Sequence, residues 1–150
     1  MVRKTIIGIG LLCFCCPLFS DSLNVLLITG RNNHNWQLTT PIIKNMYQQQ
    51  PRFTIDTTLR PDNLNEQQLS EYDVVISNWS AWPDVTGRQW GDEAEKAVIN
   101  FERSGGEFVL FHAASATFRD WPEYQQLMYT MLVNRLIHVC LKIIFTNGFK

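Results

Sequence analysis

The residues of this chain best suited to moving protons are two histidines, His34 in Gly30-Arg31-Asn32-Asn33-His34-Asn35-Trp36 and His112 in Phe111-His112-Ala113-Ala114-Ser115. An imidazole changes charge near neutrality, so it can act as general acid or base without special tuning. Ser115 lacks the G-x-S-x-G context of an activated nucleophile and is expected to offer a hydrogen bond instead. Two histidines with no acidic partner at ligand spacing do not make a metal site, so no metal and no other cofactor is expected. Asn78-Trp79-Ser80 brings a further amide and ring to the end of an apolar run. The same three residues match a glycosylation acceptor, but so short a pattern recurs by chance. Trp36, Trp79 and Trp121 offer flat apolar faces with one donor each, which suits sugar binding as well as lidding a core.

These residues recur at the ends of apolar runs. Leu23 to Thr29 (LNVLLIT) reads as a buried strand stopped by Gly30, and Asp73 to Ser77 (DVVIS) as another, ending at Asn78. Phe108 to Phe111 is a third, ending at His112. Phe53 to Leu59 alternates apolar and polar residues, as a half-exposed edge strand does. Between the strands lie helical patterns. Thr40 and Pro41 read as the cap and first residue of a helix whose apolar stripe is Ile42, Ile43, Met46 and Tyr47 and which stops at Pro51. Trp90 to Arg103 has an apolar face, acidic residues early and Arg103 late, and ends at Gly105-Gly106. Asp120 and Glu123 have the spacing of a capping box for a last helix starting near Trp121. Alternating strands and helices imply a three-layer αβα fold around a mainly parallel sheet. In such sheets ligands sit beyond the carboxyl ends of the strands. With a flavodoxin-like strand order, His34, Asn78 and His112 converge on one rim.

The chain has 150 residues, 45% apolar and 18% charged, with a formal net charge of -1. That is one domain with a real core and no basic footprint for nucleic acid. Met1 to Lys4 is basic, Thr5 to Cys16 apolar or small, and Ser20-Asp21-Ser22 a small-x-small site, the layout of a secretory signal peptide over residues 1–22. The expected product is secreted or periplasmic, with no stable membrane span once the signal is cleaved. Of four cysteines, only Cys140 lies outside that segment, which leaves no internal disulfide and no cysteine metal site.

Two segments resemble one family. GRNNHNW (30–36) is similar to the glycine, histidine and tryptophan loop after the first strand of the ThuA-like, trehalose-utilisation family. GGEFVLFHAASATFRDW (105–121), followed by Pro122-Glu123-Tyr124, resembles that family's H-A-A…W-P-E-Y segment. The resemblance covers residues 23–128 and implies a class I glutamine amidotransferase-like, flavodoxin-related fold and a role in using trehalose or related disaccharides. It implies a site resting on His34, Trp36, His112, Ser115 and Trp121, and a small-molecule sugar as partner. Glutaminase chemistry is excluded, because the turn that holds the nucleophilic cysteine in true amidotransferases reads His112-Ala113-Ala114-Ser115, and a thioester needs a thiolate. Residues 129–150 do not resemble the family's continuation and read as an aberrant or out-of-frame end, so the fold is expected to be incomplete at the C-terminus. A sugar-binding module without catalysis, or an inactive fragment, are the alternatives.

Overall fold

The computed structural model describes residues 22–129. The expected leader (1–22) and the expected aberrant segment (129–150) fall outside it, apart from their junction residues.

Four parallel strands make the sheet: β1 (Leu23–Ile28), β2 (Phe53–Thr58), β3 (Val74–Ser77) and β4 (Glu107–Leu110), in the order β2-β1-β3-β4. This is the α/β architecture, with the flavodoxin-like strand order, that the alternating pattern predicts. β1 is interior, and Val25, Leu26, Leu27 and Ile28 are all buried, which is why that run shows no alternation. β2 pairs only with β1, and of its residues Ile55 alone is fully buried, as an edge strand requires. The register sets Ser77 opposite both Ile28 and Leu110. Three chain reversals therefore leave the sheet side by side at one rim.

α1 (Trp36–Gln48) covers one face through Ile43 and Tyr47, against Val25, Leu27, Ile55 and Ile76, whereas Ile42 and Met46 of the expected stripe face solvent. The other face carries the larger core, built on α2 (Glu66–Leu69), α3 (Asp92–Arg103) and a last helix, α4 (residues 122–129). At the end of α3 the Gly105 N–H bonds the Glu102 carbonyl at 2.9 Å and the Gly106 N–H the Phe101 carbonyl at 3.0 Å. That pair of bonds, with Gly105 at φ +96°, is the glycine stop expected there. No helix among the described residues is long and apolar enough to cross a membrane.

One helix start and one capping interaction differ from expectation. α1 begins at Trp36, not at Pro41, because the Asn35 side chain accepts the Leu38 N–H at 3.2 Å and caps the helix a full turn early. Pro41 then lies inside α1, on its exposed side, with no N–H to give the carbonyl of Gln37. The Asp120–Glu123 capping box does not form. The Gln125 N–H bonds the Trp121 carbonyl at 3.1 Å, so Trp121 is the cap and Pro122 the first helical residue.

Phe118 is the hub of the larger core. Its ring stacks on Trp79 (centroids 5.5 Å, 6° between planes) and meets Trp90, Trp121 and Tyr124 edge-on at 5.0–5.3 Å. It is fully buried although its backbone lies at φ +53°, a region that bulky residues avoid. Replacing Phe118 with Ala is expected to lower the unfolding free energy by about 3–5 kcal/mol in urea denaturation. Asn35→Ala should cost about 1 kcal/mol in the same measurement, and a silent Asn35→Ala would show that its side chain is not the cap.

Candidate functional site at the carboxyl rim

The loop after β1 is shaped by its asparagines. The Asn32 side chain accepts the His34 N–H at 3.1 Å, folding the loop so that the imidazole stands outward. The Asn32 amide in turn donates to the Asn78 carbonyl at 3.0 Å and to Asn78 Oδ1 at 3.2 Å. Asn78 Nδ2 donates to Thr39 Oγ1 at 3.1 Å, and the Asn78 N–H extends the sheet onto the Ile28 carbonyl at 2.8 Å. Asn78 is thus a strut between the loop after β1, the first turn of α1 and the end of β3. It is buried with both ends of its amide engaged, which corrects its expected place on the ligand-facing surface.

The chain leaves β4 through a tight turn. His112 has φ +48°, and residues His112–Ala116 form a single 3-10 turn. The Ala114 N–H bonds the Phe111 carbonyl at 3.1 Å, and Ser115 Oγ donates to the His112 carbonyl at 2.8 Å. Beneath the turn, the buried Tyr124 hydroxyl donates to the Ala114 carbonyl at 3.0 Å. Burial pushes the Tyr124 phenol far above its ordinary range, so it stays protonated and keeps that bond. A strained left-handed residue held from both sides at a strand end is the arrangement by which α/β folds expose one reactive side chain. Here the exposed side chain is an imidazole.

The two histidines meet. Their ring centroids are 4.7 Å apart with 35° between the planes, and both are exposed. His34 comes from the loop after β1 and His112 from the turn after β4, which are separated by β3. Among the described residues neither imidazole is hydrogen-bonded to a carboxylate, and no three histidine, cysteine, aspartate or glutamate side chains cluster as metal ligands do. Ser115 is exposed beside His112 and Trp36 half-buried at the start of α1, both at the rim. Trp79 and Trp121 are not available there. They are 5% and 2% exposed, with their ring faces packed against Phe118, Trp90 and Tyr124, because the apolar area of an indole is worth more inside this core than at its edge.

Other residues at the rim escape a reading by motif. Arg31 donates to the Ala81 carbonyl at 2.8 Å and to Gln89 Oε1, and lies 5.6 Å from the Trp79 ring. Arg88 pairs with Glu95, buried on the first turn of α3 where the helix dipole favours a carboxylate. The Glu95 carboxylate holds the Arg88 guanidinium above its usual range. Both arginines fix the long connection 78–91, from which Trp82 projects half-exposed. The length of that connection was the one available signal, since nothing in the motif chemistry of an arginine marks it as a loop clamp. A cleft of about 610 Å³ lies at the opposite end of the sheet, between α2 and α3, lined by Leu23, Tyr72, Asp73, Phe101 and Glu107. It opens at the amino ends of the strands, away from the edge where open α/β sheets bind ligands.

With the rim described, comparison with known proteins decides the family. A model of the family described as ThuA, trehalose utilisation, matches residues 24–140. The chain belongs to the ThuA family. A crystal structure of a ThuA-like protein from Parabacteroides merdae superposes with a TM-score of 0.58 at 29% sequence identity, covering 69% of this chain. The matched region is 37% of that protein, so this chain spans well under half the length of its relative. No curated protein matches the chain. The ThuA match takes in both rim loops and runs past residue 128, into the segment set apart on sequence grounds. Asn78→Ala should therefore act on the site from below. It removes the side-chain bonds to the Asn32 amide and to Thr39 Oγ1, while the Asn78 carbonyl still accepts from Asn32, and is expected to cost about 1–3 kcal/mol in urea denaturation, whereas Asn33→Ala should change stability by less than about 0.5 kcal/mol.

Proposed function

We propose that this ThuA-family chain binds a sugar, a disaccharide of the trehalose type or a derivative of one, at the rim above β1, β3 and β4, and that His34 and His112 move protons on its hydroxyl groups. The observation that carries the proposal is the 4.7 Å approach of two exposed imidazoles that are 78 positions apart in sequence. Two such rings can divide the labour. One accepts a hydroxyl proton while the other, protonated, donates to a neighbouring oxygen, so no net charge has to accumulate on the ligand. Ser115 Oγ spends its proton on the His112 carbonyl and keeps lone pairs free for a ligand hydroxyl. The half-buried Trp36 supplies apolar surface next to His34. The turn holds no thiol, so covalent thioester chemistry plays no part.

A second reading, a sugar-binding module without turnover, draws support from one feature. No carboxylate orients either imidazole among the described residues, and catalytic histidines commonly have such a partner. The two readings separate in one experiment. Purified protein is titrated with trehalose, other disaccharides and their monosaccharides by calorimetry, and the products are followed by carbon NMR. If the chain is an enzyme, His112→Asn lowers turnover at least about 100-fold while changing affinity by less than about threefold. If neither variant nor wild type turns over a sugar that the wild type binds, the binding module is the correct reading.

Export belongs to the same proposal. The basic, apolar and small-residue order of residues 1–22 supports a cleaved signal and a secreted or periplasmic product. Intact-mass analysis of protein recovered from the culture medium or periplasm should show a chain beginning near residue 23. Full-length protein confined to the cytoplasm would refute it.

A further inference from the structure

We propose that Trp82 is the stacking platform of this rim, on which a pyranose ring lies while its hydroxyls face the imidazoles. The proposal rests on the reading of the rim as a sugar site and names the ligand's shape. Of the five tryptophans, Trp79, Trp90 and Trp121 are buried at 5%, 2% and 2% exposure and Trp36 is half-buried, whereas Trp82 is 50% exposed. Exposure of one large ring is ordinary in a floppy loop. This connection is not floppy in its bonding.

The backbone on either side of Trp82 is tied down. The Ser80 N–H bonds the Arg31 carbonyl at 2.9 Å, and Arg31 Nη2 donates to the Ala81 carbonyl at 2.8 Å. The Ala81 N–H donates to Thr117 Oγ1 at 3.0 Å, and the Trp82 N–H to Ser80 Oγ at 3.3 Å. Beyond the ring, Gln89 Nε2 donates to the Asp84 carbonyl at 3.2 Å, and the Arg119 N–H to the Val85 carbonyl at 2.8 Å. The anchors, Arg31 on one side and Thr117 and Arg119 on the other, belong to the two loops that carry His34 and His112. The backbone leading into Trp82 is therefore bonded to both loops that carry the imidazoles, and its ring lies outside the aromatic core formed by its three buried counterparts. Burying an indole is strongly favourable, and a rigidly presented tryptophan left half in water is the kind of residue on which binding energy concentrates.

The chemistry of the ring selects the ligand. An indole face is apolar and electron-rich, so it attracts the weakly positive C–H groups that cover one face of a pyranose, and its N–H adds one donor. An open-chain polyol has the same hydroxyls but no such face. The geometry thus points to a cyclic sugar, held by stacking on Trp82 and by hydrogen bonds to His34, His112 and Ser115.

The test uses the full chain and three probes: trehalose, methyl α-glucopyranoside and the open-chain alditol sorbitol. Binding to wild type, Trp82→Phe, Trp82→Ala and His112→Asn is measured by calorimetry, with thermal unfolding as the control for folding. The expected result is pyranoside binding that Trp82→Ala weakens roughly tenfold or more and Trp82→Phe largely preserves, with each variant still unfolding in a single cooperative transition, because half of the residue already stands in water outside the core. Sorbitol should bind weakly and equally to wild type and Trp82→Ala. If wild type binds the pyranosides and Trp82→Ala binds them as well, the platform is refuted and the rim site stands. If Trp82→Ala loses binding while His112→Asn changes neither affinity nor turnover, the platform stands and the imidazole reading fails. Wild type that binds none of the probes overturns both.

Discussion

The placement of β3 between β1 and β4, all three parallel, is the constraint on which everything else depends. Parallel pairing sends every carboxyl end to the same side, and the register that sets Ser77 beside Ile28 and Leu110 brings three loops to one height. No local feature of His34 or His112 brings them together. Residues 78 positions apart become neighbours because three parallel crossover connections, β1 to β2, β2 to β3 and β3 to β4, return the chain to the same edge. Fine positioning is then the work of a few polar bonds, chiefly the Asn32–Asn78 pair and the Arg31 clamp. They act where a loop alone would leave the imidazoles free to drift apart.

Most of this frame was readable in the sequence, because it is written in period and composition. Uninterrupted apolar runs locate β1, β3 and β4, although β4, expected to be buried, is an edge of the described sheet with Phe108 alone fully covered. The alternation of Phe53 to Thr58 marks the other edge, and Gly105 marks the end of α3. Side-chain capping was read less well. Asn35 and Thr40 are both good caps, and the choice between them turns on a single hydrogen bond to Leu38 that no propensity encodes. The tryptophans expose the deeper limit. Trp79 and Trp82 lie three positions apart in the same polar, aromatic stretch and suit a core or a ligand equally well by type. Their opposite fates follow from Phe118, which arrives from beyond β4 to stack on Trp79. Only the tertiary arrangement supplies that partner.

The amides divide in the same way. In a run such as Arg31-Asn32-Asn33-His34-Asn35, asparagines can bind ligand hydroxyls or hold the backbone. Here Asn32 folds the loop and ties it to Asn78, and Asn35 caps α1. The polar character of the loop is thus largely consumed in supporting His34. A loop between two core elements has backbone groups to satisfy, and local side chains are the nearest partners available. The chemistry falls to the few side chains these bonds leave outward.

Two residues near the turn after β4, His112 and Phe118, have left-handed backbone conformations, six positions apart and neither a glycine. Each is expected to cost on the order of 1 kcal/mol or more, so the surrounding structure must hold them there. The means differ. Phe118 is fixed by its own ring, which four aromatic neighbours enclose, each such contact worth about 0.5–1.5 kcal/mol beyond burial. His112 has no such burial, since its side chain stands in solvent. It is fixed at one remove, by the Tyr124 hydroxyl on Ala114, by Ser115 on its own carbonyl, and by the Phe118 core that anchors the far end of the same segment. The aromatic cluster therefore does more than stabilise one face of the sheet. It compels a short segment to leave β4 sharply, and that sharp departure is what turns the first residue of the turn, His112, out toward His34.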